Sequence, residues 1–398
     1  MAFKAIVVVV ALALFLPFAY ERGQVASLFW KNAPHRLVKV NTFASHEIRF
    51  SDRIRSCEDA LLVESEGVAI LGCDPGRERW NTVMGIFLPD PVENGKLYSF
   101  NYAQTGLSDD EALKELTFIN FPSQSNFHSL GMAYDEPTST LLVTNHRRHA
   151  PPAIEMFHLD LAAHTATHLR SVQHPLLHAP NAVALVSHTE FYVTNDHHFL
   201  VRAHPVLSRL ETNLGLPGGS VVHVDVAADP PRASVVARLA FANGIALLNA
   251  TTAAVSSSSK ARVHLFSIGR GAGALDPPRF APAADFRVPF SPDNLALARN
   301  GALLVAGHPH PPSLSKFAAS RNVCNDPEAL GAADEEVREM CGTLVVPSWA
   351  ARWTQEGGLE TLYAGVEYPT SATAAWDSDR GVGVISGLYA KGVFVWRD

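Results

Sequence analysis

The sequence predicts an all-β protein, a six-bladed β-propeller with helical insertions behind an apolar N-terminal leader, and three observations predict it. Short β-rich runs recur from residue 57 to residue 398, parted by Gly, Pro, Asn and Asp, the pattern of a sandwich, barrel or propeller. That stretch is too long for one sandwich, and at four strands per blade it makes roughly six blades. Polar residues also recur where apolar runs begin, at Cys57-Glu58-Asp59, Pro180-Asn181-Ala182-Val183, Ala242-Asn243-Gly244-Ile245 and Pro292-Asp293-Asn294-Leu295. Strands that open onto one central channel give such residues a place to meet. No W-D or kelch signature repeats, so the blade number rests on length.

The expected strands are 67–73, 96–100, 140–145, 190–195, 219–226, 262–268, 302–307, 342–346, 381–387 and 392–396. Two stretches break this rhythm. Val206, Leu207, Leu210 and Leu214 form an apolar stripe at helical spacing after Pro205, a face that covers a site, touches a membrane or, most simply, packs into the core. Asp326 to Met340 reads as one helix started by Asp-Pro.

Composition limits the partners. The 398-residue chain is 47% hydrophobic and 18% charged, which excludes disorder and coiled coil, and propellers of this length form one domain. A net charge of −7 with no dense Lys/Arg patch argues against nucleic acid. Excess acid is compatible with a hard cation without requiring one.

Lys4 precedes Ala5 to Tyr20, an uncharged run rich in Val, Leu and Ala. It fits a secretory signal or signal-anchor over 1–20, slightly short for a membrane span. An extension over 21–56 and the propeller over 57–398 would follow. The small-residue context ending at Ala19 has Pro17 at its −3 position, so cleavage stays open. The expected location is secreted or membrane-anchored in the secretory pathway.

Four cysteines, Cys57, Cys73, Cys324 and Cys341, suit an oxidising compartment, and no C-x-x-C is present. Cys57 and Cys73 stand at near-equal distances from a turn near Glu64 to Gly67, and Cys324 and Cys341 bracket one insertion. Among three possible connectivities, 57–73 with 324–341 is expected. Asn249-Ala250-Thr251 is a glycosylation sequon.

Familiar catalytic motifs are absent: no G-x-S-x-G, H-E-x-x-H, Walker loop or G-x-G-x-x-G occurs. The border residues instead offer two carboxylates, Glu58 and Asp293, and three amide oxygens, Asn181, Asn243 and Asn294. Hard oxygens in that number suit calcium, whereas zinc would want His or Cys. Each Asn alone is more often a turn residue, and spacing does not join these segments.

The chain resembles the paraoxonase/arylesterase family over nearly its whole length after the leader. The resemblance lies in His174-Pro-Leu-Leu-His-Ala-Pro-Asn181-Ala-Val, then Glu190-Phe-Tyr-Val-Thr-Asn-Asp-His197-His-Phe199 and Phe241-Ala-Asn243-Gly-Ile245, with the Asp293-Asn294 and Glu58-Asp59 pairs. It implies a six-bladed propeller whose channel calcium is held by Glu58, Asn181, Asn243, Asp293 and Asn294. It also implies hydrolysis of lactones or aryl esters. Asp59 matches a ligand of a second, structural calcium, with a backbone carbonyl near Met132 as another. Ala182, however, stands where the family carries an aspartate. The family's long-range disulfide cannot form either, because the chain ends Val395-Trp396-Arg397-Asp398, so local bridges are expected to replace that closure.

In the family two channel histidines act as base and orienting group. His146 matches the second. The first is ambiguous in Asn126-Phe-His128-Ser-Leu130-Gly131, where alignment on the glycine puts Leu130 at the catalytic position and His128 two residues upstream. His128 shares a strand face with it. His197 and His308 are family-like channel or structural residues. The resemblance implies an ester carbonyl polarised by calcium, with a His or a carboxylate such as Asp293 activating water. Loops 74–94 and 199–217 would set substrate choice. Two other readings stand beside it, a strictosidine-synthase-like propeller enzyme and a non-catalytic, calcium-stabilised binding propeller.

Overall fold

The computed structural model describes residues 2–269 and 277–398, with side chains at residue 13 and from 15 onward. Six sheets follow one another along the chain, antiparallel except for one parallel edge strand, Thr117–Ile119, in the second, and each begins with a strand that lies innermost: Cys57–Val63, Ser129–Asp135, Pro180–Leu185, Ala242–Asn249, Ser291–Leu297 and Ser371–Asp377. Each inner strand packs against the next, and the sixth packs against the first. One cavity of about 360 Å³ is lined by all six, through residues such as Leu61, Met132, Val183, Ile245, Leu295 and Ala375. This is a β-propeller arrangement around a central channel.

The outer strands follow from alternation and turns. In the third sheet, Glu190–Asn195 is followed by Gly219–Asp225 and Arg232–Leu239 in antiparallel register. The second strands of the sheets are buried on both faces, and with the third strands they carry the apolar residues that pack sheet on sheet, as Phe191, Val193, Val222 and Val224 do against Leu142 and Ile154.

The N-terminal segment takes part in the sheets. Ser45–Arg49, placed by sequence in the extension, is the outer strand of the sixth sheet and pairs Ser45 with Arg397 and Arg49 with Val393. Val40–Asn41 adds an edge to the fifth sheet. Phe43 stacks on Trp396 at 4.7 Å. Backbone pairing between the two ends therefore provides the closure that local disulfides were expected to provide. The bridges themselves are Cys57–Cys73, across the first hairpin, and Cys324–Cys341, within an insertion.

The helices depart from expectation in four ways. Asp326–Met340 is two helices, Pro327–Ala332 and Glu335–Thr343, because the Asp334 carboxylate caps a second start by accepting from Val337 N. The expected strand at 342–346 is the end of that second helix and the chain after it. A further helix, Pro311–Cys324, precedes them, its start marked by two prolines after His310. In Pro205–Leu214 the apolar stripe faces outward instead of into the core, with Val206 67% exposed. Glu211 turns the other face inward, its carboxylate accepting from His198 N and Phe199 N at 2.9 and 3.0 Å.

The N-terminal helix runs Ala2–Lys31, and the side chains at 1–12 and 14 of the expected leader lie outside the described residues. Its second half is docked: Arg22 donates to Ser259 O at 2.8 Å, and Asn32 to Pro289 O at 2.6 Å. Among the described residues no helix is long and apolar enough to cross a membrane.

Candidate metal and catalytic site at the channel

Each inner strand breaks register near its start. The breaks fall between Cys57 and Asp59, Ser129 and Met132, Pro180 and Val183, Ala242 and Ile245, Pro292 and Leu295, and Ser371 and Thr373. A bulge puts extra residues opposite the partner strand and re-aims their side chains. The residues on the bulges are Glu58, Asn181, Asn243 and the Asp293-Asn294 pair, with Leu130 and Ala372 at the other two. Thus all five expected channel ligands occupy one tier of the ring. Gly131 and Gly244 make this tier close: a Cβ on Gly131 would lie 2.5 Å from Asn181 O, and one on Gly244 2.6 Å from Asp293 O.

A hydroxyl clasp repeats between the sheets, and the hydroxyls of Thr144, Thr194 and Ser256 each lie within hydrogen-bond range of two backbone carbonyls. Thr144 Oγ1 lies 3.2 Å from both Gly131 O and Asn181 O. Thr194 Oγ1 donates to Asn243 O at 2.6 Å, and Ser256 Oγ to Asp293 O at 2.6 Å. At the ring's junction Thr373 and Ser386 hydroxyls reach Glu58 O at 3.0 and 3.2 Å. Every clasp therefore grips the carbonyl of a ring residue in the next sheet. Sequence reading passed over them; their only trace is the Val-Thr-Asn run at 143–145 and again at 193–195.

The tier is buried, and its oxygens are short of partners. Glu58 Oε2, Asn181 Oδ1, Asn243 Oδ1 and Asn294 Oδ1 are all buried with no hydrogen-bond partner. The amide nitrogens explain how the oxygens are aimed. Asn243 Nδ2 donates to Ser258 Oγ at 3.0 Å, and Asn294 Nδ2 to Glu58 Oε1 at 2.9 Å and Thr373 Oγ1 at 3.0 Å. Asp293 Oδ2 pairs with His308 Nε2 at 2.9 Å. Burial pushes the Glu58 carboxyl well above the usual range, and neighbouring Asp59 and Asp293 push it the same way. Leaving four acceptors unpaired costs roughly 1–3 kcal/mol each. Together with the Asp293 carboxylate they make a donor set of oxygens only, two carboxylates and three amides, which fits a calcium-sized hard cation. Among the described residues no group of three or more His, Cys, Asp or Glu is placed to hold a metal.

Asp59 differs. Its Oδ1 accepts from Ala60 N at 2.8 Å and Thr373 Oγ1 at 2.9 Å, and its Oδ2 from Met132 N at 2.8 Å. Ala182 has no side-chain oxygen to offer. These residues do not fit a second ion, because protein donors already occupy the Asp59 carboxylate.

The histidines fall into distinct settings. His146 is locked: its Nδ1 lies 2.5 Å from Thr82 Oγ1 and its Nε2 2.5 Å from Pro180 O. Burial holds its imidazole below the usual range. His197 bonds Asp196 and Thr212 through its two nitrogens. His128 lies outside the bulge tier, its Nδ1 3.2 Å from both oxygens of Asp74. Leu130 takes the bulge position that Asn181, Asn243 and Asp293 take in other sheets. Asn249 of the sequon is exposed at a strand end.

A family model described as Arylesterase matches residues 89–328. Serum paraoxonase/arylesterase 1 of Mus musculus is 33% identical over 167 residues, 41% of this chain and 44% of the relative. The Homo sapiens protein of the same name is 29% identical over 218 residues, 51% and 59% of the two chains. Serum paraoxonase/arylesterase 2 of Homo sapiens is 35% identical over 122 residues, 30% and 32%. The chain thus spans about half the length, or less, of the curated relatives it matches. Among solved structures, a gluconolactonase of Xanthomonas campestris aligns at a TM-score of 0.46 and 15% identity, over 90% of this chain and 94% of that one.

Proposed function

The chain belongs to the arylesterase family, and from that premise we propose that it is a calcium-dependent hydrolase of lactones and aryl esters built on a six-bladed propeller. The blade number is supported by six inner strands packed in a closed order around one cavity. One observation carries the site: four buried oxygens, on Glu58, Asn181, Asn243 and Asn294, without a partner at one tier of that channel. With Asp293 they would hold one calcium, and no second ion is proposed.

When bound, calcium would supply electrophilic polarisation of the ester carbonyl and stabilise the charge that develops on its oxygen. The protein's own part is positional. The bulges aim the five side chains, the hydroxyl clasps fix the backbone beneath them, and His308 orients Asp293. A histidine or a carboxylate of the channel takes the proton from water.

The same proposal covers location. The apolar run of residues 5–20, two disulfides and an exposed sequon at Asn249 support passage through the secretory pathway, secreted or held at a membrane by the N-terminal segment. A second reading, a non-catalytic calcium-stabilised binding propeller, is favoured by one observation, the apolar Leu130 on the ring. Hydrolysis of phenyl acetate and of δ-valerolactone by calcium-loaded protein, lost on chelation and restored by calcium, is the expected result. Folded, calcium-loaded protein that cleaves neither would overturn the enzyme reading in favour of the second.

A further inference from the structure

We propose that Asp74 and His128 form the base dyad of this site, with His128 taking the proton of the attacking water and Asp74 as its positioning residue. The proposal rests on the hydrolase reading above and names the group which that reading leaves open.

Leu130 brings no titratable group to the ring. His146 has both nitrogens engaged by the protein. His128 has one nitrogen engaged and one available. A carboxylate only accepts hydrogen bonds, so the Asp74 contact fixes the proton on Nδ1 and leaves the lone pair on Nε2. Among the described residues that Nε2 has no hydrogen-bond partner, and it is not among the sealed buried atoms; the ring keeps 3% of its side chain accessible. The backbone around it is held rigidly. His128 N donates to Asn145 Oδ1 at 2.9 Å, and the Arg77 guanidinium donates to Ser129 O.

Asp74 is tied to the metal tier through the chain itself. It follows Cys73, whose disulfide partner Cys57 precedes Glu58, and its own N–H donates to Ser56 O at 3.0 Å. The first disulfide therefore fixes the positioning carboxylate relative to a proposed calcium ligand. A base held by a third group is the arrangement that hydrolytic sites need.

In the step, neutral His128 Nε2 takes one proton from water while the water oxygen bonds to the carbonyl carbon. The acyl carbon–oxygen bond then breaks, its electron pair leaves on the alkoxy oxygen, and the imidazolium returns its proton there. Acid and alcohol form, and the histidine is restored. Asp74 offsets the positive charge that His128 carries between the two transfers.

The test uses the full chain, phenyl acetate and δ-valerolactone. His128→Ala should lower kcat about a hundred-fold or more, the span of a general base, with KM and calcium binding unchanged and partial recovery on adding imidazole. Asp74→Asn should lower kcat in the parent protein and do nothing further in the His128→Ala background, with Asp74→Glu recovering part. Should His128→Ala fail to fold, His128→Gln gives the same comparison. Unaltered kcat in the His128 variants overturns the proposal while wild-type hydrolysis stands. Equal losses from Asp74→Asn in both backgrounds overturn the positioning role. A wild type that cleaves neither probe removes the hydrolase reading and this proposal together.

Discussion

Replacing Thr194 by Val tests the clasp that supports the metal tier. Thr194 is fully buried, and its hydroxyl serves two strands. It accepts from Ala182 N at 2.9 Å and donates to Asn243 O at 2.6 Å. Valine keeps the volume but removes the hydroxyl, so a buried N–H loses its acceptor and the Asn243 carbonyl loses a donor. The unsatisfied donor alone costs about 1–3 kcal/mol of stability. Because Asn243 is a proposed ligand and Ala182 follows another, the same change loosens two ring residues at once. Partners of metal ligands typically carry about 10–100-fold in metal affinity, which sets the expected loss in calcium binding. Titration calorimetry with calcium and thermal melts of both forms read the two effects. Thr165→Val, on an outer strand, serves as the control and should change stability by under about 0.5 kcal/mol. Should Thr194→Val bind calcium as the parent does and melt with it, the clasp is ordinary packing and the reasoning fails.

Three further outcomes follow from the same structure. Asn243→Ala or Asp293→Ala should abolish turnover and calcium binding while the disulfides remain 57–73 and 324–341 by non-reducing peptide mapping; turnover that survives either change contradicts the ligand set. Burial holds His146 below its usual range, so the unfolded chain takes up that proton more readily, and this part of stability is present above about pH 6.5 and lost as pH falls. Melting temperature from pH 7.5 to 5.5 should accordingly fall less steeply in His146→Gln; equal slopes would count against the assignment. A chain starting at residue 51 lacks the outer strand that pairs with Val393–Arg397, and it should lose its cooperative melt or aggregate through the bared edge.

Much of this was legible in the sequence where local chemistry decides. The runs 140–145 and 190–195 fold as strands within those bounds because alternation and flanking turn residues specify them. The polar border residues were also legible, since an apolar run that opens on Asn or Asp has to place that group somewhere wet or coordinated. The bulges were not, because a two-for-one register is set by the partner strand and leaves no mark in composition. The partner of His128 is 54 residues away in sequence, and nothing near Asp74 announces it. Ser45–Arg49 went unread for the same reason, its only partner being the far end of the chain. At Pro205–Leu214 the helical spacing was correct and the facing was not, because a buried carboxylate, Glu211, decides which side turns inward.

Calcium bound at one tier of channel oxygens, with hydrolysis dependent on it, can be tested in a single titration. Bound calcium per chain and the rate of phenyl acetate hydrolysis should be measured together as free calcium is raised from a chelated start. Both should rise in step and saturate at one ion per chain. Hydrolysis that is complete before calcium binds, or an ion that binds without Glu58, Asn243 and Asp293, would contradict this reading.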